Sequence, residues 1–448
     1  MCLSHEGKGH GRSRESGRRA MRPIVATGFC FFVRLGVSRG CQTLQCRPAG
    51  PRSGLRNSRG DDAVTEHGEG RGVRAGHREM VTDTAIADWS DRSVAYRGYD
   101  VLDLVRESTF TEVAYLLLYG ELPDEVFLAD FRAVLAESSD GAEWADESEW
   151  MRDLLQRLPL HVALADVLLT AISAVAHFDP RPADQSVDSD RARAIRLIGR
   201  VPLIVADRLA ATTGFEPVEP DVERSFPSQL AAMLTGAVPS PLFERALDVL
   251  LISVIDVGFS PAVQAARLAA ATGADLHGAV LAAAAVESTS ERAGLSQELV
   301  SLWDERPWQD DAEGWVLERL DAGLGVPGTV FGGRAAEDPR REIGVAWAEH
   351  LSDEADSDFV KAIDRAAAEL EAAVIACGGV PGWDWAAIRL LAAGGVDPEC
   401  HLPLVVVARL LGWSAHVLEQ FGRPVASVTR PHYVGPPPRD IPARPVWD

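Results

Sequence analysis

From about residue 96 onward, apolar residues recur at helical spacing through most of the chain. In STFTEVAYLLLYGELP, Phe110, Val113 and Leu117 share one face, Thr109 and Glu112 stand in capping-box spacing, and Gly120 with Pro123 supplies a stop. This predicts a helix of about three turns, buried on most sides. Comparable stretches predict helices over 124–136, 148–157, 162–176, 190–212, 227–236, 241–256, 261–287, 311–322, 340–351, 356–376, 383–393 and 402–420. Alternating strand patterns between turn signals are nearly absent, so the expected class is all-α. The acidic stretches at 137–150 (ESSDGAEWADESEW) and 352–358 (SDEADSD) read as solvated loops. No repeat of 20–50 residues is visible.

One approach to a helix is unusual. In IDVGFSPAVQAARLAAATGADLHGAV, Asp256, Gly258, Ser260 and Pro261 build a polar turn, yet a β-branched Val257 stands in its middle. The turn is built as though to present a polar side chain, and presents none.

Charge divides the chain unevenly. Residues 1–79 hold 15 Lys+Arg against 7 Asp+Glu, and the remaining 369 residues hold 29 against 59, a net charge of −30 within an overall −22. An acidic body of that size repels phosphate backbones, which excludes nucleic acid as an expected partner. Residues 1–79 form a basic, Arg-, Gly- and Ser-rich leader whose apolar run, Ile24 to Val33, is too short to span a bilayer, so no membrane is expected as a partner. The leader fits a signal peptide, an Arg-rich transit peptide, or sequence upstream of a true start at Met80; the change of composition at Met80 favours the last. Four of the six cysteines lie in the leader, and the two left, Cys377 and Cys400, suit a reducing cytoplasm.

Generic motifs carry little. GVSRG (36–40) matches the nucleophile pattern G-x-S-x-G with no strand before it or helix after it. GLGVPG (323–328) matches G-x-G-x-x-G but follows a helical pattern, whereas a dinucleotide loop joins a strand to a helix. The body histidines, His161, His177, His277, His350, His401, His416 and His432, show no pairing at metal-ligand spacing, so neither a metal nor a bound cofactor is expected. His177 and His416 read as packed or partly exposed helix residues.

Longer segments carry more. YRGYDVLDLVRESTFTEVAYLLLYGELP (96–123), VLLTAISAV (167–175), IRLIGRVPLIVADRLAATTG (195–214), DVGFSPAVQAARLAAATGADL (256–276), FGGRAAEDPR (331–340) and VARLLGWSAHVLEQ with RPHYVGP (407–436) resemble the citrate synthase family, in the family's order, over residues 82 to about 437. The resemblance implies a mainly helical dimer whose subunits close a small domain over oxaloacetate and an acyl-CoA. It implies a large domain at 80–291 continued at 385–437, a small domain at 292–384, and a Pro-rich tail at 438–448. Acetyl-CoA or another acyl-CoA would be a substrate rather than a bound cofactor.

Family members use an Asp base, a His donor to the thioester carbonyl, two further His around oxaloacetate, and several Arg for carboxylates. Such chemistry needs a carboxylate to remove a weakly acidic methyl proton and a donor to take up the enolate charge. Arginine suits the carboxylates because its planar fork meets them in two hydrogen bonds. By resemblance, VPGWDWAAI (380–388) supplies the base as Asp384, and Arg340, Arg409 and Arg430 supply the substrate-binding cations, the last reaching the partner subunit's site. The imidazoles are missing. Asp256-Val257-Gly258 stands where the family has Asp-His-Gly, Arg292 falls at the thioester donor's place, and Gly332-Gly333-Arg334 replaces Gly-His-Arg. The register puts His277 at a family Tyr, outside the site.

Three functions follow as expectations: an impaired subunit, homodimeric or paired with an intact paralogue; an active condensing enzyme or lyase with a rebuilt site, Arg292 acting as donor; or a sensor of di- or tricarboxylates.

Overall fold

The computed structural model describes residues 83–89, 93–139, 145–213, 218, 221, 223–331 and 338–423. The leader, Gly333, Arg334, Arg430 and the tail lie outside the described residues.

The described chain opens with an antiparallel three-stranded sheet, β1 (Ala87–Trp89), β2 (Val94–Tyr96) and β3 (Tyr99–Asp100). Helices follow: α1 (Val101–Glu107), α2 (Phe110–Tyr119), α3 (Glu125–Ser139), α4 (Ala145–Arg157), α5 (Leu164–Val175), α6 (Val187–Thr213), α7 (Phe226–Thr235) and α8 (Pro241–Val254). Next come α9 (Pro261–Ala271), α10 (Leu276–Glu287), α11 (Ser290–Glu305) and α12 (Ala312–Asp321), and then β4 (Thr329–Phe331). The order closes with α13 (Arg340–Glu354), α14 (Asp358–Ala376), β5 (Gly379–Pro381), which pairs antiparallel with β4, α15 (Trp383–Ala393) and α16 (Pro398–Gln420). The class is all-α.

Local signals account for several boundaries. At α2, Thr109 accepts from Glu112 N while the Glu112 carboxylate receives Thr109 N, completing the capping box, and Gly120 closes the helix with φ +98°. The expectation of one helix over 261–287 is corrected. Gly273 turns left-handed with φ +99°, and Asp275 caps a new helix by accepting from Gly278 N, so α9 and α10 are separate. Part of the expected acidic loop at 137–150 is also helical, since α4 begins at Ala145. GLGVPG leads from α12 into β4, a helix-to-strand context that gives no phosphate-binding helix N-terminus.

Two apolar cores form. The larger gathers β1, β2, residues of α1 to α10, one side of α13, and α16; the smaller is built by Leu299, Trp303, Trp308, Val316, Val326, Leu370, Val374, Trp385 and their neighbours. Helix α15 belongs to both, turning Trp383, Ala386, Leu390 and Leu391 to the first and Trp385 and Ile388 to the second. Its N-terminus therefore sits where the two cores meet. Helix α16 is the one described helix long and apolar enough to cross a bilayer, and its apolar length is explained by its central placement, since 89% of its most apolar window is buried inside the protein.

Candidate active site

A single stripe of α16 organises the site. Arg409, Gly412, His416 and Gln420 follow at i, i+3, i+7 and i+11, so they share the face that meets the end of α8 and the flank of α9. Arg409 Nε donates to Val254 O at 3.4 Å, and Gln420 Oε1 accepts from Arg267 Nε at 3.0 Å. Between them the helices nearly touch: a Cβ on Gly412 would lie 2.1 Å from Ile255 O. Glycine is required there because the obstacle is backbone.

This close crossing fixes the turn at 256–260. Asp256 Oδ1 accepts from Gly258 N at 2.7 Å, and its Oδ2 lies 2.8 Å from His416 Nε2. His416 Nδ1 is 3.1 Å from Arg267 Nη1, which also pairs with Glu419 at 2.6 Å. The partners assign the tautomer, with Nε2–H donating to the carboxylate and Nδ1 accepting from the guanidinium. His416 is 1% exposed and bonded on both nitrogens, not a partly exposed residue. The Tyr96 hydroxyl donates to Asp256 O at 3.0 Å, and burial pushes its pKa upward. Gly258 takes φ +73°, where a Cβ would come within 3.0 Å of the Trp89 ring, and Ser260 caps α9. The Asp256 carboxylate and the Gly258 N–H are thus engaged beneath the turn. Phe259 is exposed beside these bonds, and Val257 turns away from them.

It faces a cavity of about 320 Å³ lined by eleven residues that include Val257, Glu287, Arg292, Arg340, Asp384 and Arg409. Three of the four proposed site residues therefore meet at one cavity, together with two of the three positions where the resemblance expects imidazole. Arg430 and Gly333 lie outside the described residues. No histidine lines the cavity among the described residues.

Asp384 stands in the first turn of α15, where the helix dipole favours a carboxylate, and is 44% exposed. The β4–β5 pairing and the bond from Gly382 N to Gly328 O (2.9 Å) hold the chain just before it. Arg292, on the first turn of α11, approaches it with Nη2 at 3.6 Å from Asp384 Oδ1.

The other arginines are buried rather than paired at the surface. Arg340 is 3% exposed and clamped between the Trp89 and Trp383 rings, with its Cζ 4.5 and 5.1 Å from their centroids. Its Nε and Nη2 bond the two Asp338 oxygens at 2.9 and 2.5 Å, and its Nη1 donates to Ser253 O. Burial raises the Asp338 carboxyl, but the Arg340 guanidinium outweighs it and holds the pKa below the ordinary value. Arg409, also 3% exposed, donates from Nη1 to Glu287 Oε1, an oxygen that also lies 2.7 Å from Arg292 Nε. Burial lowers the Arg409 pKa; Glu287 opposes that shift, and Arg292 adds to it.

The family model for the citrate synthase C-terminal domain matches residues 76–432. This chain belongs to the citrate synthase family. Among similar proteins, a citrate synthase of Mycolicibacterium smegmatis is 27% identical over 368 residues, covering 81% of this chain and 95% of the relative. A 2-methylcitrate synthase of Shewanella oneidensis is 28% identical over 379 residues, covering 83% and 95%. Among solved structures, the ternary complex of Thermoplasma acidophilum citrate synthase with carboxymethyl coenzyme A and oxaloacetate shares the fold with a TM-score of 0.72 at 22% identity, covering 82% of this chain and 96% of that one.

Within this citrate synthase fold, the sequence alone did not disclose Glu287, Trp89, Asp338 or the Asp256–His416–Arg267 relay. Glu287 left a faint signal as the one charged residue closing an Ala- and Val-rich helix. Trp89 left none, because its role depends on a contact with Arg340, 251 residues away.

Proposed function

We propose that this chain is a condensing-enzyme subunit of the acyl-CoA and oxaloacetate type whose own catalysis is severely impaired, and that it works paired with an intact paralogue. The observation carrying this reading is the cavity wall, which has a carboxylate at Asp384 and no imidazole among the described residues. Removing a proton beside a thioester needs a base matched by a donor to the carbonyl oxygen. One lost oxyanion donor is worth on the order of 10²–10³ in kcat, and losses within one catalytic unit do not simply multiply. Val257 offers no side-chain hydrogen bond at all. The pairing of Arg340 with Asp338 and of Arg409 with Glu287 also favours impairment over carboxylate sensing, because both cations already hold a protein carboxylate. The free thiols Cys377 and Cys400 suit work in a reducing cytoplasm.

The test mixes purified protein with acetyl-CoA and oxaloacetate and follows free CoA, with little release expected. Co-expression with the host's intact paralogue, followed by native mass determination, should yield a mixed oligomer; separate homodimers alone would count against the pairing. A second reading, a rebuilt active site, is favoured by the 3.6 Å approach of Arg292 to Asp384, which brings a cation beside the base where a thioester oxygen would develop charge. Turnover at roughly 1–10³ s⁻¹ that Arg292→Gln abolishes would favour that reading instead.

A further inference from the structure

Two tryptophans hold Arg340 by their rings alone. The guanidinium is clamped between Trp89 and Trp383, and neither indole N–H has a hydrogen-bond acceptor among the described residues. A buried, unpaired N–H is a cost that phenylalanine would avoid, and indole is the best of the aromatic rings for a cation, so what these two positions use is the ring face. The rings also join distant parts of the cleft. Trp89 ends β1, paired with Val94 across the sheet, and its ring packs against Gly258, where a Cβ would lie 3.0 Å from the indole Cγ. Trp383 opens α15 and sits in a notch of α13: a Cβ on Gly344 would lie 3.0 Å from its Cζ3 and 3.0 Å from the Cβ of Ala386. A packed column therefore runs from Gly258 through Trp89 and Arg340 to Trp383, that is, from the turn carrying Val257 to the residue before Asp384. Arg340 and Trp383 line the cavity, and Trp89 does not.

We propose that Trp89 is a positioning residue of this cleft: without lining it, the ring fixes the Arg340 guanidinium and, through Trp383, the first turn of α15 with Asp384, and so sets the affinity for oxaloacetate. The inference rests on the reading that this cavity takes a ligand of the oxaloacetate type. A ring that only filled space could be replaced by any apolar side chain of similar bulk. One that holds a cation by its face needs another aromatic in its place.

The experiment is calorimetric titration of the full-length protein with oxaloacetate at one fixed ionic strength, for the wild type, Trp89→Phe, Trp89→Leu and Gly344→Ala, with a guanidinium unfolding curve for each. Trp89→Leu should weaken binding by about tenfold, while Trp89→Phe stays within about threefold of the wild type. Gly344→Ala, which forces the Trp383 ring from its seat at the other end of the column, should weaken it by about threefold or more. Equal affinities in the leucine and phenylalanine variants overturn the proposal, and an unchanged affinity in Gly344→Ala overturns it whether or not Trp89→Leu folds. Wild-type protein that binds no oxaloacetate overturns the ligand reading together with the proposal, whereas binding that is indifferent to Trp89 sinks the proposal alone. Rapid CoA release would remove the impaired-subunit reading and leave these affinities to decide the role of Trp89.

Discussion

Replacing His416 by leucine separates the two bonds that hold the cleft turn from beneath. The substitution leaves Asp256 Oδ2 without the donor now 2.8 Å away, and Arg267 Nη1 without one of its two acceptors, although Glu419 remains at 2.6 Å. A hydrogen bond to a charged group contributes about 1.5–3 kcal/mol, and the second, compensated loss roughly 1 kcal/mol. With Asp256 only 2% exposed, water does not easily replace the missing donor, so His416→Leu should cost about 3–4 kcal/mol. His416→Gln provides the control. Its side-chain amide nitrogen stands near the place of the imidazole Nε2, which keeps the Asp256 bond and loses only the acceptor for Arg267, at roughly 1 kcal/mol. Guanidinium unfolding at fixed protein concentration, followed by tryptophan fluorescence, reads both variants against the wild type. Leucine and glutamine variants of equal stability, or a leucine variant close to the wild type, would refute the assignment of this relay as the support of the turn.

Gly412→Ala drives a methyl against the Ile255 carbonyl, which a rotamer change cannot relieve, so the α8–α16 crossing must open. A loss of about 1–3 kcal/mol or more is expected in the same unfolding assay, and an unchanged midpoint would contradict the close crossing. Acid should destabilise the protein through His277 and His401, each lowered by burial from the ordinary 6.5 to about 4. Their stabilising contribution is present above pH 6.5 and is lost as pH falls through 4, worth roughly 3 kcal/mol apiece. Asp248 acts in the opposite sense: burial raises its pKa from 3.8 to about 6, so it adds stability as pH falls through that window, again roughly 3 kcal/mol. The wild type should therefore lose a few kcal/mol between pH 7 and pH 4, and Asp248→Asn should lose more. Unfolding curves that coincide across this range would refute the burial of the two imidazoles.

Helices announced by periodicity and caps were legible to within a few residues. Helix α15 begins and ends where its apolar spacing predicts, and the Thr109–Glu112 box forms as read. The break at Gly273 was not legible, since Ala-rich sequence on both sides favours helix and a single glycine is tolerated inside one. The site was half legible. Asp384, Arg340 and Arg409 converge on one cavity with Val257 and Arg292, positions drawn from five separate parts of the chain. What the sequence could not convey was how the cations are spent, because the partners of Arg409 and Arg340 include Glu287, Ser253 and two tryptophan rings brought in by tertiary packing. A motif names a side chain, whereas its free valences depend on neighbours far away in sequence.

The most direct measurement follows CoA released from acetyl-CoA or a homologous acyl-CoA with saturating oxaloacetate, for the wild type beside Asp384→Asn. A cleft that has kept its carboxylate and lost its imidazoles should give two equally slow proteins, well below roughly 1 s⁻¹. Fast release by the wild type that disappears in Asp384→Asn would contradict the account.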